Sequence, residues 1–270
     1  MDGTLGAGGH AKGVVSVLGN NGCLFAFDSD ESAIELAKET LSAFSNVIYC
    51  HHNFAEMKQV LTQKKVKGVD GILLDIGVSS MQIDQAERGF SFRDEKVGDL
   101  DMRMNRSRGW TVGEYLKRVT KSELEQVIKE YGEERYYKRV AGAICAEREK
   151  RKIMTTKDLA DIVRYAIPGP KGKIDKATRT FQALRIKINE ELDVLKKVIP
   201  DAVDMLNPGG RLAIITFHSL EDRIVKWSFR DLQEQNKIKI LTKKPIEASD
   251  KELEENARSR SAKLRIIEKL

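Results

Sequence analysis

The first third of the chain alternates short apolar runs with amphipathic stretches. The apolar runs at residues 23–27, 47–50 and 69–74 predict buried β-strands, and the stretches between them have the spacing of helices. Strands that alternate with helices in this way predict a parallel sheet with helices on both faces. The N-terminal part is therefore expected to be α/β.

The pattern changes after the third strand. Residues 76–109 are rich in glycine, arginine and aspartate and show no period, which is typical of a long functional loop. Residues 111–166 are helix-rich, and a break follows at 167–173. An apolar stripe over residues 181–199 then predicts one long core helix, and residues 211–217 return to a buried-strand pattern.

Because strand patterns occur at both ends of the chain, the helix-rich middle segment is predicted to be an insertion into an α/β domain. Segments 238–241 and 262–267 are expected to pair as a closing hairpin. We predict a sheet domain of residues 1–104 and 186–270, which binds the cofactor. The inserted, basic, helical domain of residues 105–185 is expected to recognise the substrate.

Charge is uneven along the chain. The 270 residues have a net charge of +6, yet residues 105–185 contain 20 Lys and Arg against 11 Asp and Glu. A basic middle segment indicates an anionic partner, with basic solvated helix faces as the alternative. No apolar run is long enough to span a membrane, and the three cysteines form neither a disulfide framework nor a zinc ligand set. A reducing, cytoplasmic setting fits this composition.

A glycine-rich turn at residues 2–10 precedes a predicted helix. Glycines let the backbone approach a ligand closely, and a helix N-terminus attracts anionic groups. The next strand ends at Asp28, where a doubly wound sheet binds ribose hydroxyls. The spacing is neither that of the dinucleotide fingerprint nor that of a P-loop. A second acidic strand end, Asp75, and a turn at 207–210 favour a methyltransferase sheet with a nucleoside-type cofactor.

These residues belong to a longer series of motifs. In order they are DGTLGAGGH (2–10), LDIGVSS (74–80) with Gln82 and Asp84, ERGFSF (87–92), LDMRM (100–104), YGEER (131–135), TRTFQALR (178–185) and FHSLEDR (217–223). The chain resembles, over nearly its whole length, the MraW/RsmH family of small-subunit ribosomal RNA cytosine-N4 methyltransferases. The resemblance implies a doubly wound, Rossmann-like class I methyltransferase sheet with an inserted helical domain. It also implies S-adenosyl-L-methionine as the cofactor.

The family's cofactor-binding positions match seven residues of this chain. The glycines and the helix N-terminus would hold the methionine end of the cofactor, Asp28 would accept hydrogen bonds from the ribose diol, and Phe54 would offer a flat face to adenine. Asp75 lies at a strand end over the cleft. His10 is either a polar contact or only a helix-start residue. The matching positions are Gly8, Gly9, His10, Asp28, Phe54, Asp75 and Gln82.

The resemblance implies direct methyl transfer to an exocyclic amine, the N4 atom of a cytidine in the decoding region. This amine is a weak nucleophile because its lone pair is delocalised into the ring. Acceptors on its N–H groups and alignment with the sulfonium would therefore promote transfer. No covalent intermediate is needed, so no cysteine nucleophile is expected. The candidates are Asp75, Ser79 and His218, with Asp75 preferred and with Ser80, Ser219 and Glu221 as further acceptors.

Contact with RNA would explain the basic middle segment. The implied partner is small-subunit ribosomal RNA within an assembled or nearly assembled 30S particle, while the oligomeric state is open. Phe90, Phe92 and Trp110 would stack on a splayed-out base or pack in a local core. The candidate phosphate contacts are Arg88, Arg103, Arg179 and Arg185, with Arg106, Arg108, Lys171, Lys173 and Lys176 nearby.

The chain departs from the family pattern at its beginning. Family members have a segment before the glycine loop that includes an apolar strand. Since this chain starts at Met1, we expect a fragment or a misassigned start codon. Two other functions stay open: a non-catalytic RNA- or ribosome-binding protein, and an oxidoreductase, which the absent G-x-G-x-x-G spacing disfavours. His51 and His52 support a metal site only weakly, and no metal is predicted.

Overall fold

The computed structural model describes residues 1–19, 21–93, 97–170, 172 and 174–270. The chain divides into two compact units. Unit 1 comprises Met1–Gly77 and Leu192–Leu270, and unit 2 comprises Val78–Glu191. Within the described residues, no helix has both the length and the apolar character needed to cross a membrane.

Unit 1 is built on a mixed β-sheet. Strand β1 pairs in parallel with β2, and β3 pairs in parallel with β4. Strand β7 runs antiparallel to β4, β5 and β6. The strands are β1 (Leu24–Asp28), β2 (Val47–His51), β3 (Val69–Asp75), β4 (Leu206–Thr216), β5 (Ile238–Ile240), β6 (Ile246–Glu247) and β7 (Lys263–Lys269).

Residues 1–5 lie between β1 and β3 and join the two halves of this sheet. Asp2 forms parallel bridges to Ala26 on one side and to Leu73 on the other. Its backbone N–H donates to the carbonyl of Phe25 at 2.9 Å, and the N–H of Gly3 donates to the carbonyl of Leu73 at 2.8 Å. The order across the sheet is thus β2, β1, residues 1–5, β3, β4, β7, β5. The predicted doubly wound α/β architecture is confirmed.

Helices cover this sheet because each presents an apolar side to it. One core cluster joins β3 and β4 to the apolar sides of α3, α10 and α11, and a second joins β1 to α1 and α2. The helices that begin or end in unit 1 are α1 (Gly9–Val17), α2 (Glu31–Thr40), α3 (Met57–Gln63), α10 (Glu191–Met205), α11 (Ser219–Glu234) and α12 (Asp250–Glu255). Helices α4–α9 belong to unit 2.

Unit 2 is helical and has its own core, in which α6 packs on both α7 and α9 and α7 packs on α8. Its helices are α4 (Ser80–Asp84), α5 (Val112–Arg118), α6 (Lys121–Gly132), α7 (Tyr137–Lys150), α8 (Thr156–Ala166) and α9 (Thr178–Asn189). The bounds of the unit, 78 and 191, differ from the predicted insertion at 105–185. The loop before residue 105 belongs with the helices because Leu100 and Met102 are buried in their core.

The predicted single helix over residues 181–199 is wrong, because α9 ends at Asn189 and α10 begins at Glu191. Glu190 separates them with a left-handed φ of 53°. The apolar spacing continues across the break since it serves two cores. Phe181 packs in the core of unit 2, and Leu195 packs in the core of unit 1.

The predicted closing pair of strands is confirmed. Strands β5 and β7 run antiparallel with Ile240 opposite Ile267. The connection between them is longer than a simple hairpin turn, since it contains β6 and α12.

Replacing Glu190 by glycine tests the backbone origin of the helix break. A left-handed backbone conformation is sterically unfavourable for a residue with a Cβ atom but not for glycine. We therefore expect Glu190→Gly to raise the free energy of unfolding by about 0.5–1 kcal/mol. Urea denaturation measures this change. Glu190→Ala removes the same carboxylate but keeps the strained backbone. An equal gain in the alanine variant would show that charge, and not backbone conformation, is responsible.

Candidate active site

The glycine turn of residues 6–9 begins the candidate site in unit 1. Gly6 and Gly8 have left-handed φ values of 51° and 85°, which explains why glycine stands at both positions. Gly8 is the N-cap of α1 and gives it no side-chain cap. The first-turn amides of α1, which begins at Gly9, are therefore left to an incoming anionic group.

Asp28 ties this turn to the end of β1. Its Oδ2 accepts a hydrogen bond from the N–H of Gly6 at 2.8 Å, and its Oδ1 accepts from the N–H of Asp30 at 2.9 Å. Burial raises the pKa of Asp28 to about 6, even though both backbone hydrogen bonds favour the ionised form. The carboxylate is thus held at the strand end where the sequence predicts a ribose-binding acid.

Asp75 ends β3 and connects to the same loop through two neighbours. Its backbone N–H donates to Oγ1 of Thr4 at 2.6 Å. His10 Nε2 lies 3.4 Å from Asp75 Oδ2, and the hydrogen bond between these side chains raises the pKa of His10. The other carboxylate oxygen, Oδ1, is buried and has no hydrogen-bond partner in the described part of the chain. His10 is therefore more than a helix-start residue, and Asp75 keeps one acceptor atom available.

Asp2 and Thr4 are two site residues whose roles the sequence analysis missed. Asp2 is buried, its Oδ1 accepts a hydrogen bond from the N–H of Thr4, and no described group pairs with its Oδ2. Burial raises the pKa of Asp2. Both residues lie at the start of the DGTLGAGGH motif, so the motif itself indicated that they could belong to the site. Their roles depend on contacts with β1 and β3 that sequence spacing does not show.

Phe54 follows the end of β2 and is half-buried against the core that contains β3 and β4. The turn in front of it is fixed by Asn53, whose side chain accepts from the N–H of Ala55 at 2.9 Å. A Cβ atom added to Gly3 would clash with Leu74 and lie 3.2 Å from the Cβ of Phe54. Gly3 therefore lets the chain pass between β3 and this aromatic side chain.

His218 and Glu221 form the start of α11, directly after β4. Glu221 is fully buried, and its Oε2 accepts from the N–H groups of Phe217 and His218 at 2.8 and 3.2 Å. The Nδ1 atom of His218 accepts in turn from the N–H of Glu221 at 3.4 Å. His218 Nε2 lies 3.1 Å from Glu221 Oε1, without the alignment of a hydrogen bond. The histidine thus acts as a helix cap, and its second nitrogen makes no hydrogen bond within the described residues.

Ser79 and Gln82 belong to unit 2, where they form a capping box at α4. Ser79 Oγ accepts from the N–H of Gln82 at 3.2 Å, and Gln82 Oε1 accepts from the N–H of Ser79 at 3.1 Å. Gln82 is buried. Both side chains therefore have a role in the helix start, and their predicted roles in catalysis and cofactor binding stay predictions.

Three of the four arginines proposed as RNA contacts are buried or half-buried and make internal bonds in unit 2. Arg88 is 2% exposed and donates to the carbonyls of Arg103 and Met104. Its burial is inconsistent with a direct phosphate contact, because the guanidinium holds the backbone of the loop. Arg103 pairs with Asp101 at 2.6 Å, and Arg185 forms a two-pronged pair with buried Glu191 at 2.8 Å.

Arg179 is the exception. It is exposed and donates one hydrogen bond to the carbonyl of Glu133. Among the further cations, Arg106 and Arg108 are also exposed, and Lys176 donates to the carbonyl of Ile167. Lys171 and Lys173, also predicted as phosphate contacts, lie outside the described residues.

A cavity of about 600 Å³ lies within unit 2. Phe90, Phe92 and Phe181 line it, with the rings of Phe92 and Phe181 4.5 Å apart. Gln182 and Ser91 add polar groups to the wall. Two of the three aromatics proposed to stack on a base thus share one cavity. The third, Trp110, is half-exposed, and the guanidinium of Arg118 lies 4.6 Å from its ring centre.

Comparison with known proteins decides the family. The model of the MraW methylase family matches residues 1–270. The chain belongs to this family. The ribosomal RNA small subunit methyltransferase H of Clostridium botulinum (strain Loch Maree / Type A3) is 45% identical over 286 residues, covering 100% of this chain and 92% of that protein. Its namesake in Caldicellulosiruptor saccharolyticus is 43% identical with the same coverage. The resemblance seen in the motifs is confirmed.

Solved structures are more distant from this MraW-family chain. A ribosomal RNA methylase from Streptococcus thermophilus is similar at 11% identity and a TM-score of 0.46, over 100% of this chain and 84% of that one. The fold is therefore judged from the strand order of unit 1 itself.

The two adjacent histidines of this MraW-family chain have local partners. His51 Nε2 lies 3.2 Å from the carbonyl of Ser29, and His52 Nδ1 lies 2.8 Å from Glu56 Oε2. Both are exposed. His51 is the last residue of β2, and His52 directly follows this strand.

Replacing Thr4 by valine tests the link between the glycine loop and β3. Valine keeps the shape of threonine but leaves the N–H of Asp75 without an acceptor, so we expect the free energy of unfolding to fall by about 1–3 kcal/mol. Thermal and urea denaturation measure this loss. Thr4→Ser, which retains the hydroxyl, is the matched control. A loss in Thr4→Val no larger than that in Thr4→Ser would contradict the role assigned to the hydroxyl.

Proposed function

We propose that the chain transfers a methyl group from S-adenosyl-L-methionine to small-subunit ribosomal RNA. The observation that supports this most strongly is the assembly of the glycine turn, Asp28 and Asp75 around residues 1–10 in a member of a methylase family. Relatives at 43–45% identity have the name ribosomal RNA small subunit methyltransferase H. Family membership favours methyl transfer over the oxidoreductase alternative.

The residues of unit 1 fit this cofactor chemically. The uncapped amides of α1 suit a carboxylate, and Asp28 suits a ribose diol. The unpartnered Oδ2 of Asp2 suits a cationic group of the cofactor, since a buried carboxylate gains from a nearby positive charge. Phe54 is the candidate face for adenine. When bound, the cofactor supplies an electrophilic methyl group on a positively charged sulfur.

We propose that the methyl group is transferred to the N4 amine of a cytidine in the decoding region. As the nitrogen forms its bond to carbon, the carbon–sulfur bond breaks and one N–H proton must leave. Asp75 is the preferred acceptor of that proton because its buried Oδ1 has no described partner. His218 is the second candidate, since its Nε2 makes no described hydrogen bond. Ser79 is the third, although its hydroxyl already caps α4.

Unit 2 is proposed to bind the RNA. A nucleobase fits the cavity lined by Phe90, Phe92 and Phe181, where it would stack on an aromatic ring. Arg179 is the best phosphate contact of the original four, because it is exposed. The remaining elements of the proposal are an assembled or nearly assembled 30S particle as the substrate and the cytoplasm as the setting.

Transfer of labelled methyl groups tests the proposed function. We expect the chain to methylate small ribosomal subunits that lack the modification, and nucleoside analysis to yield N4-methylcytidine. Asp75→Asn is expected to reduce the rate at least about 100-fold, since general-base contributions are commonly of that size. Binding of RNA without methyl transfer would favour the non-catalytic alternative. A different methylated nucleoside would overturn the cytidine assignment.

The pKa of Asp28 predicts how cofactor affinity depends on pH. Because this pKa is about 6, the carboxylate is mostly ionised at pH 7 and about nine-tenths protonated at pH 5. A protonated acid accepts ribose hydrogen bonds less well, so the Kd for the cofactor should rise about tenfold between pH 7 and pH 5. Isothermal titration calorimetry measures this change. Asp28→Asn should bind weakly with little pH dependence, and an unchanged slope in that variant would assign the titration elsewhere, with His10 the first alternative.

A further inference from the structure

One face of α11 combines an exposed tryptophan with two cations. Trp227 is 52% exposed. The guanidinium of Arg230 lies 4.9 Å from the centre of its ring, and the ammonium group of Lys226 lies 5.7 Å from it. We call these three residues the α11 patch. It lies in unit 1, outside the segment to which the sequence analysis assigned RNA binding.

The fold of unit 1 does not use the α11 patch for packing. Helix α11 buries Val225, Phe229 and Leu232 in the main core of the unit. Trp227 lies on the side of α11 that faces away from this core. A polar residue at this position would support the helix equally well. An exposed indole with two cations close to its ring is the pattern of a nucleic-acid stacking platform, and tryptophan and arginine are enriched among the residues that dominate binding surfaces.

The two cations of the patch are not engaged in ion pairs. In the described ranges of the chain, neither Lys226 nor Arg230 has a carboxylate within ion-pair distance. The acidic residues nearest in sequence toward the helix end, Asp231 and Glu234, do not pair with them. The positive charge is therefore available to an anion, in contrast to that of Arg103 and Arg185.

The patch also has a defined separation from the candidate active site. His218 caps α11, and Trp227 follows nine residues later. At 1.5 Å per residue, the two are about 13 Å apart along the helix axis, and at 3.6 residues per turn they lie on opposite sides of it. A strand with one nucleotide near His218 would therefore have to pass around α11 to reach the patch, several nucleotides away.

We propose that the α11 patch binds a single-stranded segment of the substrate RNA several nucleotides from the target nucleotide. A base stacks on the indole of Trp227, while Lys226 and Arg230 bind the flanking phosphates. Charge complementarity favours RNA over a protein partner, because the patch has two unpaired cations and a π-face but little aliphatic surface. This inference rests on the proposed function, since it assumes an RNA substrate.

Tryptophan fluorescence gives a test that does not require activity. The chain has two tryptophans, so Trp110→Phe leaves Trp227 as the sole tryptophan, and Trp227→Phe leaves Trp110; excitation at the red edge of the tryptophan band avoids the tyrosines. Each variant is titrated with a single-stranded ten-residue oligouridylate at low salt. We expect saturable quenching of Trp227 by the RNA. Quenching of Trp110 alone, or of neither tryptophan, would overturn the proposal.

Substitutions then measure the contribution to binding and turnover. Trp227→Leu should weaken oligouridylate binding about 5- to 100-fold and raise the KM for small subunits with little change in kcat, whereas Trp227→Phe should retain most of the affinity. The double variant Lys226→Gln with Arg230→Gln should make the slope of the logarithm of the binding constant against the logarithm of the salt concentration shallower, by the amount expected for about two lost phosphate contacts. The matched control removes two exposed charges elsewhere in unit 1 that form no ion pair within the described residues, as Lys64→Gln with Lys197→Gln.

The outcomes separate this inference from the proposed function. If the unmodified chain makes N4-methylcytidine while all patch variants keep its KM and oligouridylate affinity, the patch inference fails and the function stands. If the chain does not methylate RNA but Trp227 is still quenched by oligouridylate, the function fails and the patch is supported. An equal effect of the control pair would overturn the patch by showing that only net charge matters. Quenching by purified small-subunit proteins without quenching by RNA would overturn it in favour of a protein contact.

Discussion

The candidate site depends on how residues 1–6 are held between two parallel strands. Backbone hydrogen bonds fix this segment to β1 and β3, and two further bonds tie it to the residues that end those strands. The N–H of Gly6 donates to Asp28, and the N–H of Asp75 donates to Thr4. Two acidic side chains from different strands are thereby positioned against one short segment of backbone. Such preorganisation lowers the cost of ordering the site when a ligand binds.

The same arrangement concentrates negative charge where little water reaches. Asp2 and Asp28 both have raised pKa values because burial disfavours their ionised forms. The charge of His10 offsets part of this cost at Asp2. Buried carboxylates with unpartnered oxygens are costly to maintain, so their presence argues for a ligand that supplies positive charge and hydrogen-bond donors. A sulfonium nucleoside with an ammonium group meets both requirements, whereas a purely anionic ligand would meet neither.

The sequence predicts the features that arise from local patterning. Apolar runs located β1, β2 and β3, and Asp28 and Asp75 were identified because they directly follow such runs. The sequence does not predict the break at Glu190 because the apolar spacing continues across it. Only the core changes: residues before the break pack in unit 2, and residues after it pack in unit 1. The roles of Thr4 and Asp2 were missed for a related reason, since both depend on strands about 25 and 70 residues away in sequence.

Charge is the property for which sequence counting is least informative. The middle segment has a large excess of cations, but Arg103, Arg185 and Arg164 are paired with Asp101, Glu191 and Asp175, and Arg88 is buried on backbone carbonyls. A cation that already faces a carboxylate releases fewer counterions from an approaching polyanion than a cation that faces only solvent. What attracts RNA is therefore the distribution of unpaired cations and not the net charge of a segment. By that criterion α11, whose sequence is close to neutral, presents charge that is as available as that of Arg179 in the basic helical unit.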